Sequence, residues 1–256
     1  MRLLIPSLAL LIAAVAYSVP VEQLTLELRC ETGRAYLQQG LLEQARTEFL
    51  SALEIDPGCG EALLGMGRAY CQQGNYPSAE TYYRRFLELY PEDPRGVEEL
   101  SGLLTMTGRF TEALDSVEGA LELDPSSPAL WLIRAEAALG SGDTLLAEQS
   151  LGRLVDSGGQ EELEARVMLS SVLRVRDEGA AGRDLLMPAI AAGYAPAFAE
   201  LARIYLGWGD YMRAVDAINS YLMISPGGEW ADSASMILEE LARAGEYIPP
   251  DTPGND

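Results

Sequence analysis

Apolar residues recur along most of this chain at spacings of three and four residues, which place them on one face of an α-helix. The pattern runs from about Leu26 to Ala244 and is interrupted at short intervals by glycine and proline. Every strongly periodic segment has this helical period. The sequence therefore predicts an all-α protein without β-sheet, with about twelve paired helices followed by one further helix.

The pattern also repeats itself with a period of 34 residues. GRAYLQQG begins at Gly33 and GRAYCQQG begins at Gly67, and small, aromatic and proline positions recur at the same shift. A fixed period of this length indicates a stack of similar supersecondary units. The recurring positions are Gly33, Tyr36, Gly40, Ala45, Phe49, Ala52 and Pro57 in the first block, and Gly67, Tyr70, Gly74, Ala79, Tyr83, Phe86 and Pro91 in the second.

Glycine and proline predict where the helices of each unit end. A left-handed residue is least costly without a Cβ atom, so we expect glycine to end the first helix of each pair. The residue before proline is pushed out of the helical region, so we expect proline to end the second helix. The glycines are Gly40, Gly74, Gly108, Gly142 and Gly209, and the prolines are Pro57, Pro91, Pro125 and Pro226.

This period, with these positions, resembles the tetratricopeptide repeat (TPR) family. The resemblance implies an all-α, right-handed superhelical solenoid of antiparallel helix pairs. The fifth repeat matches poorly, with Arg176 at the place of the turn glycine and Pro188 inside its second helix, and the fifth and sixth partly resemble Sel1-type repeats. The six expected repeats are 26–59, 60–93, 94–127, 128–161, 162–194 and 195–228.

A capping helix is expected at 229–246, with Met236, Ile237 and Leu241 facing inward, because a stack of repeats needs its end covered. Residues 247–256 are rich in proline and acidic residues, and we expect them to be disordered.

The first residues of the chain resemble an export signal. Arg2 precedes an uncharged run, and Ala14-Val15-Ala16 has the small-x-small pattern of a cleavage site, so 1–16 is interpreted as a signal peptide. The alternative is an uncleaved membrane anchor that extends to about residue 21. The first reading predicts a periplasmic or cell-envelope protein, and the second a membrane-anchored protein with its repeats outside the cytoplasm.

Composition removes several classes of function. The chain has no His, and all 18 basic residues are Arg, against 39 Asp and Glu, for a net charge of −21. Catalytic triads, Schiff-base lysines and P-loops are therefore excluded, and we expect no metal site and no cofactor. The acidic surface repels phosphate backbones, so nucleic acid is not an expected partner. The acidic pairs Glu98-Glu99, Glu161-Glu162 and Glu239-Glu240 are interpreted as solvated helix faces, since adjacent helical residues point apart.

The TPR resemblance implies a concave groove lined by the first helix of each pair. Three arginines would gather in the amino-terminal half of this groove and could bind an acidic peptide, with apolar neighbours that take its apolar side chains. The alternative is that these arginines pair with Glu61 and Glu98 on neighbouring helices. The predicted groove residues are Arg34, Leu37, Gln38, Leu64, Arg68, Gln72, Arg95 and Met106.

Three cysteines remain to be placed. A disulfide between Cys30 and Cys59 is sterically conceivable, because Cys59 directly precedes the helix that lies parallel to that of Cys30. The alternative is three free, half-buried thiols.

Together these features predict an exported, non-enzymatic scaffold or adaptor that binds a protein or peptide in its groove, within a cell-envelope assembly. A sensor or recruitment module of a separate envelope enzyme is the main alternative. An enzyme based on unrecognised carboxylates is the third. The oligomeric state does not follow from the sequence.

Overall fold

The structure, a computed structural model, describes residues 21–159 and 161–246, and these residues form thirteen α-helices. Both described ranges are free of β-strand, which confirms the predicted all-α class. The predicted signal peptide and acidic tail lie outside the described residues. The helices are α1 Val21–Gln38, α2 Leu42–Ile55, α3 Gly60–Gln72, α4 Tyr76–Leu89, α5 Pro94–Met106, α6 Phe110–Leu123, α7 Pro128–Ser141, α8 Thr144–Ser157, α9 Glu162–Val175, α10 Gly179–Ala191, α11 Ala195–Gly207, α12 Tyr211–Ile224 and α13 Ala231–Ala244.

The chain divides into two compact units, Met1–Ile133 and Arg134–Asp256, and the division falls within α7. In the first unit, α1 packs on α2, α3 on α4 and α5 on α6, and the first helices α1, α3 and α5 also contact one another in order. In the second unit, α9 packs on α10, α11 on α12, and α9 on α11, and α13 follows against α12. Each unit is thus a stack of helix pairs, as expected for a solenoid.

Small residues allow helices to approach closely, both within a pair and between neighbouring pairs. A Cβ atom on Gly67 would lie 2.3 Å from the ring of Tyr83, and one on Gly65 would lie 2.3 Å from the ring of Phe49. Both rings are buried, with 1% and 2% of their surface exposed. Alanine at either glycine would therefore force an aromatic ring out of the core. The alanines at the start of the second helices are fully buried in the same way: Ala45, Ala79, Ala113, Ala147 and Ala214.

The five predicted turn glycines all have a positive φ, between 71° and 83°. Five helices among the described residues gain an additional side-chain cap at their amino terminus, because the side-chain oxygen of Asn75, Asp93, Ser127, Asp143 or Asp210 accepts a backbone N–H of the first turn.

The fifth pair differs from its predicted register by one residue. Its left-handed turn residue is Asp177, with φ 65°, and not Arg176. Its buried small residue at the pair contact is Ser170, and Gly182 packs against it at the position that alanine occupies elsewhere. The extra residue is accommodated in the α8–α9 turn, where Gly158, with φ 64°, ends α8 in place of a proline. The repeat positions of this pair are therefore counted from Leu163.

Both ends of the described helical array differ in detail from the prediction. Helix α1 already includes Val21, the first described residue, so its described part is longer than the other first helices. In α13, Leu241 is buried as expected, but Met236 is 63% exposed, and Ala234 is fully buried on the inner face. The apolar spacing was compatible with burial of either Met236 or Ala234. In the structure the face with the smaller residue, Ala234, packs against α12.

Candidate partner-binding face

Groove positions of α1, α3 and α5 carry a chain of ion pairs, which we call the arginine ladder (Arg34, Glu61, Arg68, Asp93, Arg95 and Glu99). Glu61 on α3 accepts from Arg34 on α1 at 3.4 Å and from Arg95 on α5. Arg68 on α3 donates to Glu99 on α5 at 2.6 Å. Each consecutive pair of first helices is therefore joined by at least one ion pair, and all three guanidinium groups are 40–51% exposed.

The arginine ladder is electrically balanced, with three arginines against three carboxylates. Arg95 also donates to Asp93 at 2.8 Å and holds the pKa of that carboxyl below its usual value. The three arginines thus pair with carboxylates of neighbouring helices, as the alternative in the sequence analysis expected, but the second carboxylate is Glu99 and not Glu98. Glu98 instead accepts from the Ser127 hydroxyl at 3.1 Å, and burial raises its pKa. An acidic ligand on this face must compete with the protein's own carboxylates.

The structure corrects the expected apolar lining of the groove. Leu64 is 1% exposed and Leu37 is 8% exposed, so both side chains belong to the core beneath the face and cannot take apolar groups of a ligand. Gln38, Gln72 and Met106 are exposed, and the exposed fraction of Met106 is 64%. The surface around the three arginines is accordingly polar, with Met106 as its exposed apolar side chain among the predicted residues.

A concavity lies in the second unit, and we call it the Trp230 pocket. Its volume is about 480 Å³. Apolar residues of α9 and α11 form one wall, and Tyr221 and Trp230 form the other. The guanidinium carbon of Arg203 lies 5.0 Å from the Trp230 ring centre, which is cation–π distance. The lining residues are Val167, Ala195, Pro196, Ala199, Arg203, Tyr221, Ser225, Gly228, Glu229 and Trp230.

Two arginines beside this pocket are held by one buried carboxylate. Glu200 is 2% exposed, and it accepts from Arg174 at 2.7 Å and from Arg203 at 3.2 Å. A carboxylate this deeply buried is stable only when it is paired, so it fixes the position of both guanidinium groups. The two arginines and Glu200 together carry a net charge of +1, and Glu229 in the pocket lining balances it, so the pocket, like the arginine ladder, is neutral overall.

The sequence analysis did not assign a site to Glu200, Tyr221 or Trp230. Trp230 lies in the segment 229–246 that the sequence predicts to be a capping helix, and Glu200 belongs to no motif. With the fifth pair counted from Leu163, Val167 stands at the fifth position of its repeat, like Ala199 in the next, and Arg203 stands at the ninth. The repeat register therefore already places Ala199 and Arg203 on the groove side, and Val167 joins them once the one-residue slip of the fifth pair is recognised.

Four carboxylates of the acidic pairs have separate hydrogen-bond or ion-pair partners in the described part of the chain. Adjacent members have different surroundings: Glu98 contacts Ser127, whereas Glu99 contacts Arg68 and the Tyr83 hydroxyl. Glu162 pairs with Arg166, and Glu239 with Arg243, each on its own helix. No cluster of three or more metal-ligating side chains occurs in residues 21–159 and 161–246.

The cysteines are all thiols, and two of them are in contact. The Sγ atoms of Cys30 and Cys59 lie 3.5 Å apart, and both residues are buried. Cys71 is half-buried and stands apart from this pair. Within the described residues, no helix has both the length and the apolar character required to cross a bilayer.

Several solved structures share this architecture. Pseudomonas aeruginosa PilF has a TM-score of 0.67 at 18% identity, covering 85% of this chain and 100% of PilF. PilW, described as a widely conserved type IV pilus biogenesis factor, has a TM-score of 0.70 at 16% identity, covering 82% of this chain and 98% of PilW. YrrB, described as a TPR protein with an unusual peptide-binding site, has a TM-score of 0.51 at 19% identity, covering 73% and 97%. At these identities the likeness shows a shared fold.

No curated protein matches this chain in sequence. The sequence profile of the tetratricopeptide repeat matches it four times, at residues 7–59, 30–94, 64–128 and 106–162. These overlapping matches run without a gap from residue 7 to residue 162, which is more than half of the 256 residues. The profile, the 34-residue period and the stacked helix pairs agree, and the chain belongs to the tetratricopeptide repeat family.

Proposed function

We propose that this protein is a non-enzymatic scaffold that binds a segment of a partner protein on the groove side of its first helices. The observation that carries the proposal is the Trp230 pocket. It combines an apolar wall, an aromatic ring and an oriented guanidinium group in one open concavity of about 480 Å³. Such a combination is typical of ligand sites, in which apolar surface provides affinity and a few polar groups fix orientation.

The chemistry of the Trp230 pocket indicates the kind of segment that fits it. Ala195, Ala199 and Val167 leave room for one large apolar side chain against Trp230. Arg203 lines the pocket, and Arg203 and Arg174 carry one positive charge more than Glu200, their shared partner, while Glu229 is also in the lining. A partner segment with an apolar residue next to Asp or Glu would bury its side chain and place its carboxylate near Arg203.

The arginine ladder is proposed as a second, weaker contact surface for an acidic segment. Arg34, Arg68 and Arg95 remain 40–51% exposed, and Gln38, Gln72 and Met106 surround them. A guanidinium group has several N–H donors and can bind two carboxylates at once. A ligand carboxylate could therefore take over some of the hydrogen bonds that Glu61 or Glu99 accepts. Because each exposed pair is weak, this surface requires all three arginines together.

We further propose that the scaffold acts outside the cytoplasm, in a cell-envelope assembly. Residues 1–16 have the charge, apolar run and small-residue pattern of a signal peptide. The type IV pilus factor PilW, whose fold this chain shares, supports an envelope setting. Immunodetection of the tagged full-length protein in cell fractions, together with the mass of its mature amino terminus, tests this part of the proposal.

Affinity capture from detergent-solubilised envelope of the source organism, followed by quantitative mass spectrometry, tests the binding function. The full chain is compared with Arg203→Ala, in which Glu200 keeps Arg174 as its partner at 2.7 Å. The matched control is Arg243→Ala, whose side chain is 74% exposed on α13 outside the pocket. We expect at least one protein to be retained by the wild type and by the control, and to be reduced roughly tenfold with Arg203→Ala.

A second variant tests the shape of the pocket independently of its charge. Ala195→Trp should fill the space beside Trp230 and reduce capture of the same protein, with an unchanged far-ultraviolet circular dichroism spectrum. Equal capture by the wild type and both pocket variants would show that the partner binds elsewhere. Turnover of a substrate by the isolated protein would contradict the non-enzymatic role.

A further inference from the structure

We propose that Cys30 and Cys59 form a redox-active dithiol that closes to a disulfide by exchange with a low-molecular-weight disulfide such as oxidised glutathione. This site is independent of the proposed partner and of the Trp230 pocket. It lies in the first unit, where α1 contacts the amino terminus of α3.

The two sulfur atoms are already in contact, at 3.5 Å. Cys30 lies in the middle of α1, and Cys59 is the residue directly before α3. A disulfide requires an S–S distance of about 2.05 Å, so the sulfur atoms must approach by roughly 1.5 Å. Both side chains lie in one apolar cluster with Leu37, Ala62 and Met66. The fold therefore holds in proximity two thiols that are 29 residues apart in the chain.

The surroundings divide the roles of the two thiols. The two thiols share one hydrogen bond, in which either sulfur can be the donor, and Cys59 is the residue at the amino terminus of α3, beside the backbone N–H groups of Ala62 and Glu61. The hydrogen bond with Cys30 and these N–H groups outweigh burial and the nearby Asp56 carboxylate, and they lower the pKa of Cys59 to about 6. The pKa of Cys30 is raised by the same hydrogen bond, by burial and by Glu61, against the opposing effect of Arg34. Cys59 is thus the attacking thiolate and Cys30 is the resolving thiol.

The exchange proceeds in two balanced steps. The Cys59 thiolate attacks one sulfur of oxidised glutathione, forms a mixed disulfide and releases one glutathione thiolate. Cys30 then loses its proton to solvent and attacks the Cys59 sulfur, which releases the second glutathione thiolate. Counted from the Cys59 thiolate, two electrons and the Cys30 proton leave the protein, and the two released glutathione thiolates take up protons from solvent, so one oxidised glutathione becomes two reduced glutathione molecules.

Peptide mapping distinguishes this pair from every other pairing. Cleavage after arginine places the three cysteines on three different peptides, 30–34, 47–68 and 69–84. The full-length native protein is incubated with oxidised glutathione at neutral pH, quenched with acid, alkylated in denaturant and digested. We expect the loss of two of the three thiols, with peptides 30–34 and 47–68 joined and the peptide of Cys71 outside the cross-link.

Two variants assign the roles. Cys71→Ala should form the same cross-link at an unchanged rate. Cys30→Ser should stop at the mixed disulfide, so that peptide 47–68 carries glutathione, because no resolving thiol is present. The proposal is overturned if the wild type retains three thiols under conditions that oxidise a small dithiol, or if Cys71 replaces either cysteine in the cross-link. Absence of glutathione on Cys59 in Cys30→Ser would contradict the assignment of the attacking thiolate.

Discussion

Ser101 departs from the repeat pattern, because it is a polar residue at a position in the core. Ser101 occupies the position at which the first two repeats have Gly33 and Gly67, and its side chain is fully buried. Its hydroxyl oxygen has no hydrogen-bond partner among the described residues. A buried hydroxyl without a partner loses its hydration and gains nothing in return, so it destabilises the fold.

Ser101→Ala is expected to raise the free energy of unfolding by about 0.5–1 kcal/mol, because it removes the unpaired oxygen and leaves the packed Cβ in place. Ser150→Ala is the matched control. Ser150 is equally buried, but its hydroxyl donates to the Leu146 carbonyl at 2.8 Å and accepts from Arg134 at 3.0 Å, so its loss should destabilise by about 1 kcal/mol. Urea denaturation measures both, and a destabilising Ser101→Ala would contradict the argument.

The thiol of Cys59 allows a prediction about pH. Its pKa is about 6, chiefly because of its hydrogen bond with Cys30, so it should be a thiolate above that pH. We expect peptide 47–68 to be alkylated by iodoacetamide at a rate that rises with pH through about 6 and then levels off. Burial and Glu99 raise the pKa of Cys71, so the rate for peptide 69–84 should still be rising in that range.

Removal of the Cys30 thiol tests the cause of this shift. Cys30→Ala should move the rise in the rate for Cys59 to higher pH, because burial and Asp56 then act against fewer hydrogen bonds. Ala62 and Glu61 still supply their N–H groups, so part of the shift should remain. Identical pH profiles for the wild type and Cys30→Ala would show that the helix terminus alone lowers the pKa.

At the scale of helices, the 34-residue period correctly predicted the features that depend on the size of the side chains. Glycine and alanine recur wherever two helices approach closely, so the helix pairs and their turns followed from counting. The fifth pair could not be placed in this way, because Ser170, Asp177 and Gly182 replace the usual residues and shift by one. Its register follows from packing, since Gly182 fits against the Ser170 backbone, whereas Ala181 is exposed.

The left-handed turn of the fifth pair yields a prediction. Asp177 has φ 65°, which costs a residue with a Cβ atom more than glycine. Asp177→Gly should therefore stabilise the protein by about 0.5–1 kcal/mol, whereas Arg176→Gly should be neutral or destabilising. Thermal unfolding of the two variants decides between the observed register and the one expected from the 34-residue period.

The fifth pair is also predicted to be the least stable part of the repeat array. Pro188 lies inside α10 and cannot donate a backbone hydrogen bond to the preceding turn. Amides of residues 172–190 should therefore exchange with solvent faster than those of residues 62–87, which include the fully buried Leu63, Met66 and Phe86. Native-state hydrogen exchange measures the difference, and equal protection of the two segments would refute it.

At the scale of the molecule, the sequence predicted which charged residues share a face, but it did not predict which of them form ion pairs. The repeat register placed Arg34, Arg68 and Arg95 on one face. It could not tell which carboxylates reach them, because the adjacent residues Glu98 and Glu99 point in directions about 100° apart on α5. It also placed Leu37 and Leu64 toward the groove, although neighbouring helices bury them. Side-chain partners depend on the distances between helices, and a period within one chain contains no such distances.

The arginine ladder allows the last prediction, because its arginines can be removed together without a change in the core. Replacing Arg34, Arg68 and Arg95 by Ala changes the net charge from −21 to −24, since −21 − 3 = −24. If an acidic partner segment binds this face, its affinity should fall roughly 10–100-fold, and its dependence on salt concentration should become flatter. Helicity should be unchanged, since all three side chains are 40–51% exposed.

Arg84, Arg213 and Arg243 provide the matched control, because replacing them by Ala gives the same change in net charge. Their side chains are 51%, 66% and 74% exposed, and each pairs with a carboxylate within its own helix or helix cap. General repulsion by the acidic molecule would weaken binding equally in both triple variants. A specific contact predicts a loss in the ladder variant alone, measured by calorimetry against the captured partner at low and at physiological salt. Full affinity of the ladder variant at low salt would mean that these ion pairs only join α1, α3 and α5 to one another.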